Sequence, residues 1–545
     1  MSSSTPHDAN RPQRPNIVLI LVDDMGFSDI GCFGSEISTP HLNELARNGV
    51  RNTQHYNCAR CCPTRASLLT GLYPHQAGVG HMVQNRGSRA YQGYLRDDCV
   101  TIAEALRSGG YQTLMSGKWH VGGPYQSTAP ETWEPGSAEH PMPLNRGFDR
   151  FFGTLEGAGS FFHPYTVMEG TAAEGWRFWA GKQGQIQTQD FYYTDAISAK
   201  ACDMIEDANQ NEAPFFLYLA YTAPHWPLHA RPEDIARYEG RYRAGWDALR
   251  TARHEELKGL GVLDKKWEIA ARDENAPAWA DAPDHDWEDL RMAVYAAQID
   301  RMDQGVGQVM QKLKELGQFE NTLILFMSDN GGCAELLAEE GHANERYRYH
   351  TADGEPIRVG NIRTLQPGGA DTFMSYDLPW AHASNSPFRL YKHWVHEGGI
   401  ATPLIAHWPA GIPANPASGG RIVHEPTHVV DMMATCLDVA GVGYPSEHEG
   451  VAVQPIEGES VAPLLRGERW TRERPIFWEH EGNRAVRLAE WKLVSKFPGE
   501  WELYHMDDDR TERNSLLERN QAKAADFMRQ YNVWAQRCEV REWPL

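Results

Sequence analysis

Three runs of this chain are apolar from end to end and stop on residues that carry chemistry. Asn16 to Val22 ends in Asp23-Asp24. Pro214 to Tyr221 leads to Thr222-Ala223-Pro224-His225, and Asn321 to Met327 leads to Ser328-Asp329-Asn330. Unbroken apolar runs with β-branched residues predict strands buried on both faces, the kind that parallel sheets contain. A shorter run, Tyr111 to Met115, precedes Gly117-Lys118-Trp119-His120. In an open α/β sheet, ligands bind at the carboxyl ends of the strands. Acidic residues suited to a cation and basic residues suited to an anion are therefore expected along one edge. Two adjacent carboxylates such as Asp23-Asp24 are costly unless a cation offsets them, and hard cations take such oxygens.

The segments between these runs read as helices. Thr39-Pro40 opens one with Leu42, Leu45 and Ala46 on its inner face. Thr101-x-x-Glu104 is a capping box that starts another, which stops at Gly109-Gly110. Asp195 to Ile205, Asp289 to Leu316 and Val429 to Ala440 complete the set, and Thr402 to Trp408 reads as a last core strand. Residues 151–193, rich in Phe, Tyr, Trp and Gly, are expected to be excursion loops packed on the sheet. Residues 229–288 are charged and look like an exposed insertion. From about 466 onward, the runs Pro475 to Trp478, Ala485 to Leu488, Lys492 to Val494 and Glu502 to Tyr504 suggest short antiparallel strands before a final helix. The expected division is a disordered tail over 1–14, a catalytic domain over 15–465 and a smaller subdomain over 466–545.

Cys61-Cys62-Pro63-Thr64-Arg65, followed by Leu69-Thr70-Gly71, reads locally as a loop turning into a helix. Pro63 suits the first turn and Gly71 can end the helix in a left-handed conformation. Cys61 is thus placed just before a helix N-terminus, where free N–H groups favour an anion, with the Arg65 cation one turn on. That is a place for an oxyanion or for a thiolate.

This stretch resembles the signature of the type I sulfatases. The run Gly110-Tyr111-x-Thr113-x-x-x-Gly117-Lys118-Trp119-His120 resembles that family's second signature. The resemblance implies an alkaline-phosphatase-like fold: a large, mixed, mostly parallel sheet flanked by helices, with a smaller C-terminal α+β subdomain carrying an antiparallel sheet. It implies that Cys61 is converted to formylglycine by a maturating enzyme. Asp23, Asp24, Cys61 (as formylglycine), Asp329 and Asn330 would hold Ca²⁺, with Mg²⁺ as the alternative. Arg65, Lys118, His120, His225 and Lys392 would be the other active-site residues. The implied reaction is hydrolysis of a small-molecule sulfate ester to an alcohol or phenol and sulfate. A phosphonate or phosphate diester hydrolase of the same superfamily is the alternative, and an unconverted Cys61 would leave a non-catalytic anion-binding protein.

Composition bounds the partners. Lys plus Arg is 52 against 73 Asp plus Glu, a net charge of −21, which argues against nucleic acid or an anionic membrane. Met1 to Pro15 has no apolar core of a signal peptide, and no run approaches the roughly 18 apolar residues of a membrane-spanning helix. Nine cysteines, three of them crowded at 58, 61 and 62, do not form a disulfide framework. A cytoplasmic location is the expectation.

Overall fold

A computed structural model describes residues 14–125, 132–164, 166–179, 190–339, 350–351, 354–413 and 420–545. The expected disordered tail falls on residues 1–13, outside the described residues, apart from Arg14. Arg14 donates to the Gly109 carbonyl at 2.6 Å.

The apolar runs form the centre of one sheet. Its strands are β1 (Asn16–Val22), β2 (Val50–Tyr56), β3 (Gln112–Gly117), β4 (Arg150–Gly153), β5 (Met168–Thr171), β6 (Gly175–Phe178), β7 (Phe215–Ala220) and β8 (Thr322–Ser328). A separate parallel pair, β9 (Arg358–Val359) and β10 (Thr372–Phe373), follows. The main sheet resumes with β11 (Ala401–His407), β12 (Arg421–Val423) and β13 (Thr427–His428). The spatial order is β12-β2-β11-β8-β1-β7-β3-β4-β5-β6, with β13 also on β2. β8, β1, β7, β3 and β4 run parallel, whereas β11 is antiparallel to both of its neighbours. Every residue of β1, β7 and β8 is buried, as unbroken apolar runs demand.

Register places the chemistry. Val22 pairs with Ser328, Leu21 with Ala220, and Gly117 also with Ala220. The strand exits toward Asp23, Asp329, Thr222 and Lys118 therefore lie side by side. β2 points the same way, so its exit at Tyr56 delivers Cys61 to the same edge. Lys392 arrives by another route. It precedes the antiparallel β11, whose first residue Ala401 pairs with Tyr56.

Two expectations need correction. Residues 229–288 are not an exposed insertion, because Tyr238, Tyr242, Trp246 and Leu257 are buried in the main core. Arg253, on the helix Gly245–Gly259, is buried and paired with Asp29 at 2.6 Å and Glu36 at 2.9 Å. The segment is charged because its charges are used inward. The aromatic-rich region is more than a set of loops: β4, β5 and β6 extend the sheet as added strands. Residues 165 and 180–189 of that region lie outside the described residues.

A pair β14 (Glu447–His448) and β15 (Val451–Ala452) precedes a four-stranded antiparallel sheet, β16 (Ile476–His480), β17 (Asn483–Leu488), β18 (Trp491–Ser495) and β19 (Trp501–His505). The final helix, Gln521–Arg537, packs Phe527, Tyr531 and Trp534 against Val486, Leu493 and Leu503 of this sheet.

Candidate active site

The helix Cys61–Thr70 has Arg60 as N-cap and ends at Gly71 with φ 69°. Cys61 is thus the first helical residue, one step further in than the position just before the helix that the sequence suggests. The whole helix is buried, so the helix N-terminus acts in a low dielectric where its partial charge is least screened.

Four carboxylate and amide side chains meet there. Asp23, Asp24, Asp329 and Asn330 are all buried. The Asp24 backbone N–H donates to Asp329 Oδ1 at 3.2 Å, and Asn330 Nδ2 donates to Asp24 Oδ1 at 2.7 Å. Three cations oppose them. Arg65 donates twice to Asp329 Oδ2, at 2.8 and 3.1 Å. Lys118 forms a very short contact with Asp23 Oδ2, and Lys392 Nζ lies 2.8 Å from Asp24 Oδ1. His225 Nε2 is 3.4 Å from both Lys392 Nζ and Asp24 Oδ2. Its other ring nitrogen faces the Trp226 carbonyl at 2.6 Å.

Two oxygens of this set have no hydrogen-bond partner among the described residues: Asp23 Oδ1 and Asn330 Oδ1. A buried acceptor left unpaired is costly. An all-oxygen set of this kind with spare valence suits a hard divalent cation. The donors present therefore fit the ion that the family resemblance implies.

Burial pushes the Asp23 carboxyl up, but Lys118, His225 and Arg65 together bring it down to about 2. Asp329 moves the other way, because burial and the neighbouring Asp23 outweigh Arg65. As encoded, Cys61 carries Sγ at the place that the oxygens of a converted side chain would take. A hydrogen bond from Cys62, aided by Lys118 and His120, outweighs burial and holds this thiol well below its ordinary range. Cys62 carries the opposite shift, chiefly from burial. Burial pushes His120 down to about 4, partly offset by Cys61.

Backbone strain gathers at the same place. Asp24 (φ 65°), Ala59 (φ 63°), His120 (φ 56°), Leu390 (φ 65°) and His393 (φ 90°) all adopt left-handed conformations that non-glycine residues rarely take. Gly157 has no side chain for a local reason: a Cβ there would run into the His120 ring.

All of Cys61, Arg65, Lys118, His120, His225, Lys392, Asp23, Asp24, Asp329 and Asn330 thus meet at one sheet edge. Two partners escaped the sequence reading. Arg60 pairs with Glu335 at 2.8 Å beside this group, and Trp226 also donates to Glu335 at 2.9 Å. Nothing in the residues around Glu335 marks it. The backing of the acidic loop was also hidden. Tyr295 donates to Asp29 at 2.8 Å and lies 3.2 Å from the Asp24 carbonyl, and Asp29 accepts the Gly26 N–H at 2.8 Å. Arg253 closes that chain.

The fold and this edge define a class: an alkaline-phosphatase-like hydrolase of anionic esters. A family model described as Sulfatase matches residues 15–442, and one described as N-sulphoglucosamine sulphohydrolase, C-terminal, matches 388–536. The chain belongs to the type I sulfatase family. It is 31% identical over 535 residues to an uncharacterized sulfatase of Schizosaccharomyces pombe, covering 92% of this chain and 90% of that one. It is 32% identical over 471 residues to an arylsulfatase of Klebsiella aerogenes, covering 84% and 93%. The crystal structure of Ps i-CgsB in complex with k-i-k-neocarrahexaose superposes with a TM-score of 0.64 at 25% identity, covering 96% and 93%. Among the described residues, no helix is long and apolar enough to cross a membrane.

Proposed function

We propose that this sulfatase hydrolyses aryl sulfates with formylglycine at position 61 and Ca²⁺ held by Asp23, Asp24, Asp329, Asn330 and the converted side chain. One observation carries the reading. Two buried oxygens without partners, Asp23 Oδ1 and Asn330 Oδ1, face an all-oxygen set beside a cysteine at a buried helix N-terminus ringed by cations. The likeness to an arylsulfatase supports the aryl substrate.

Held by Asp23, Asp24, Asp329 and Asn330, a divalent cation would supply Lewis-acid activation of a hydrated aldehyde at position 61. The chain's own side chains do the rest. Arg65 and Lys118 offset the sulfate charge as it redistributes in the transition state. Burial pushes Lys392 down, but Asp24, Cys333 and Glu335 together outweigh it and hold the ammonium protonated, well above its ordinary range. Lys392 Nζ and His225 Nε2, 3.4 Å apart, bring an ammonium donor and an imidazole nitrogen together, and either can deliver the proton to the departing oxygen. His120, pushed down by burial, is neutral near pH 7 and can accept a proton at Nε2, the nitrogen 3.9 Å from Cys62 Sγ. All nine cysteines are free and eight are buried, which supports a reducing, cytoplasmic setting.

The test pairs two measurements. The mass of the peptide containing Cys61 reports conversion, and turnover of matched aryl sulfate and aryl phosphodiester reports the substrate class. Conversion with preferred sulfate turnover is expected. A thiol at 61 in active protein refutes the aldehyde, and preferred phosphodiester turnover refutes the substrate.

A further inference from the structure

A second cluster of ligand-type side chains lies one residue past Lys392, and the mechanism above does not use it. His393 follows the lysine. His480 ends β16 and Glu481 occupies the turn into β17. One ligand atom from each of His393, His480 and Glu481 falls within 4.8 Å of the others. Glu481 Oε2 is 3.0 Å from His393 Nδ1, and Oε1 is 3.8 Å from His480 Nε2. His81 Nε2 binds Oε1 at 2.7 Å.

His480 is the telling member. It is fully buried, yet neither ring nitrogen has a hydrogen-bond partner among the described residues. Burial keeps it neutral, well below its ordinary pKa, so one nitrogen carries a free lone pair. Burial pushes Glu481 up, but His393 and His81 hold it well below the carboxylate range, so it is ionised. A buried lone pair beside an ionised carboxylate and a second imidazole is the donor set of a borderline-soft divalent ion. The Arg60 cation, whose charge acts on His480, is already paired with Glu335.

We propose that His393, His480 and Glu481 bind a zinc ion distinct from the oxygen-bound cation of the active site. Zinc bonds of about 2.0–2.2 Å put tetrahedral donors roughly 3.3 Å apart. His393 Nδ1 lies 3.0 Å from Glu481 Oε2, near that spacing, and His480 Nε2 lies 3.8 Å from the other oxygen, Oε1, with one ligand atom of each residue within 4.8 Å of the others. His81 then holds the carboxylate oxygen from outside, the arrangement that orients a ligand and fixes its basicity. The side chains of His393 and Glu481 are 25% and 20% exposed, which leaves a fourth position for water. The ion would tie the β16–β17 turn to the loop that carries Lys392, and hold His393 in its left-handed conformation.

The experiment uses full-length protein stripped of metal and reloaded with saturating Ca²⁺, then titrated with Zn²⁺ by calorimetry. One tight equivalent of zinc is expected, weakened at least 10-fold in His480→Gln and in Glu481→Gln. Co²⁺ in place of zinc should give the intense visible bands of a tetrahedral site. Unchanged zinc affinity in both variants, or no tight equivalent in the wild type, overturns the site. X-ray absorption of the zinc-loaded wild type guards against variants that fail to fold. An imidazole-containing N/O shell supports the site. A sulfur-containing shell would place the zinc on Cys61, Cys62 and His120 and overturn it.

Discussion

Two clusters of buried charge flank the segment from Lys392 to Glu397, and they are finished differently. Behind the C-terminal sheet, Glu397 accepts from Lys492 at 2.9 Å, Arg510 at 3.0 Å and Tyr56 at 3.0 Å. Glu512 lies 2.8 Å from Lys492 and accepts the Glu397 N–H at 2.9 Å. The Arg510 guanidinium sits over the Phe388 ring at 4.7 Å, which satisfies the cation where no oxygen reaches it. Both carboxylates of that cluster are held by cations, although Arg510 Nη1 and Nη2 and Glu512 Oε1 have no hydrogen-bond partner among the described residues. At the sheet edge, three carboxylates face Lys118, Arg65 and Lys392, yet Asp23 Oδ1 and Asn330 Oδ1 remain without partners. Burial alone does not distinguish the two, and neither does the number of ion pairs. The difference lies in which atoms are spare: around Glu397 they are the Arg510 Nη1 and Nη2 nitrogens and Glu512 Oε1, which still lies 2.8 Å from the Lys492 cation, whereas at the sheet edge they are acceptor oxygens of the acidic set. A structural cluster spends its carboxylates on its own cations, whereas a working one keeps acceptor oxygens for a ligand.

The strongest way to break this comparison is Cys61→Ala. The open cluster should lose turnover by about 10⁶-fold, the scale of losing a nucleophile. Its thermal midpoint should hardly move, because the charges around it keep their partners. Turnover and melting measured on one preparation check this. A collapse of stability with the activity of the folded fraction retained would make the edge cluster structural too.

Glu397→Ala is the mirror experiment. It leaves Arg510 buried without its carboxylate and Lys492 with Glu512 alone, which should cost about 3–5 kcal/mol of stability. Turnover per folded molecule should stay at the wild-type level. The same cluster predicts an acid response. Burial pushes Glu397 up, but Lys492, Arg510 and Arg487 bring it from 4.5 down to about 2. A depressed folded-state pKa gives stability that is present above about pH 4.5 and lost as pH falls toward 2. Glu397→Gln should flatten that acid limb in denaturant melts, and an unchanged slope would show that Glu397 does not carry it.

Lys392→Ala and His225→Ala sharpen the roles inside the open cluster. Each should lower turnover of sulfates with poor leaving groups by about 10²–10³-fold. The loss should shrink for good leaving groups, which need less help from a donor. A leaving-group series on both variants measures this, and equal losses along the series would remove both from the departing oxygen.

These clusters were not equally legible in the sequence. Asp23-Asp24, Lys118, His225 and Asp329-Asn330 announce themselves because each follows an apolar strand, and parallel strands end together. Cys61 was found by its cap residues and its family resemblance, but the strand that delivers it was missed. β2 reads Val-Arg-Asn-Thr-Gln-His-Tyr, a polar string that is nevertheless wholly buried. Its polarity is spent on neighbours: Asn52 donates to Thr427 at 3.0 Å, and Gln54 receives Arg487. Lys392 could not come from strand-end reasoning, because it stands before an antiparallel strand. The partners of Glu397 come from Lys492 and Arg510, distant in sequence, and no local pattern marks them. The segment 229–288, which carries Arg253, reads as exposed for the related reason that composition counts charges without saying which way they face.

Arg253 leads to the smallest predicted effect, and it asks where the open cluster stops. Arg253 holds Asp29, Asp29 holds Gly26 and Tyr295, and Tyr295 reaches the Asp24 carbonyl. This chain pairs its carboxylate with its own donors, as the Glu397 cluster does, but rests on a residue of the open one. Tyr295→Phe removes one hydroxyl and keeps the ring that stacks on Tyr376 at 4.2 Å. Stability should fall by only about 1 kcal/mol, the net value of an ordinary hydrogen bond. If the chain exists to set the Asp24 backbone, with its φ of 65°, the variant should also bind the divalent cation about 10-fold more weakly, as when an outer partner of a metal ligand is lost. Calcium affinity and melting temperature are to be compared in the same sample. A drop in stability with unchanged calcium affinity would assign Tyr295, Asp29 and Arg253 to the structural kind and end the open cluster at Asp24 itself.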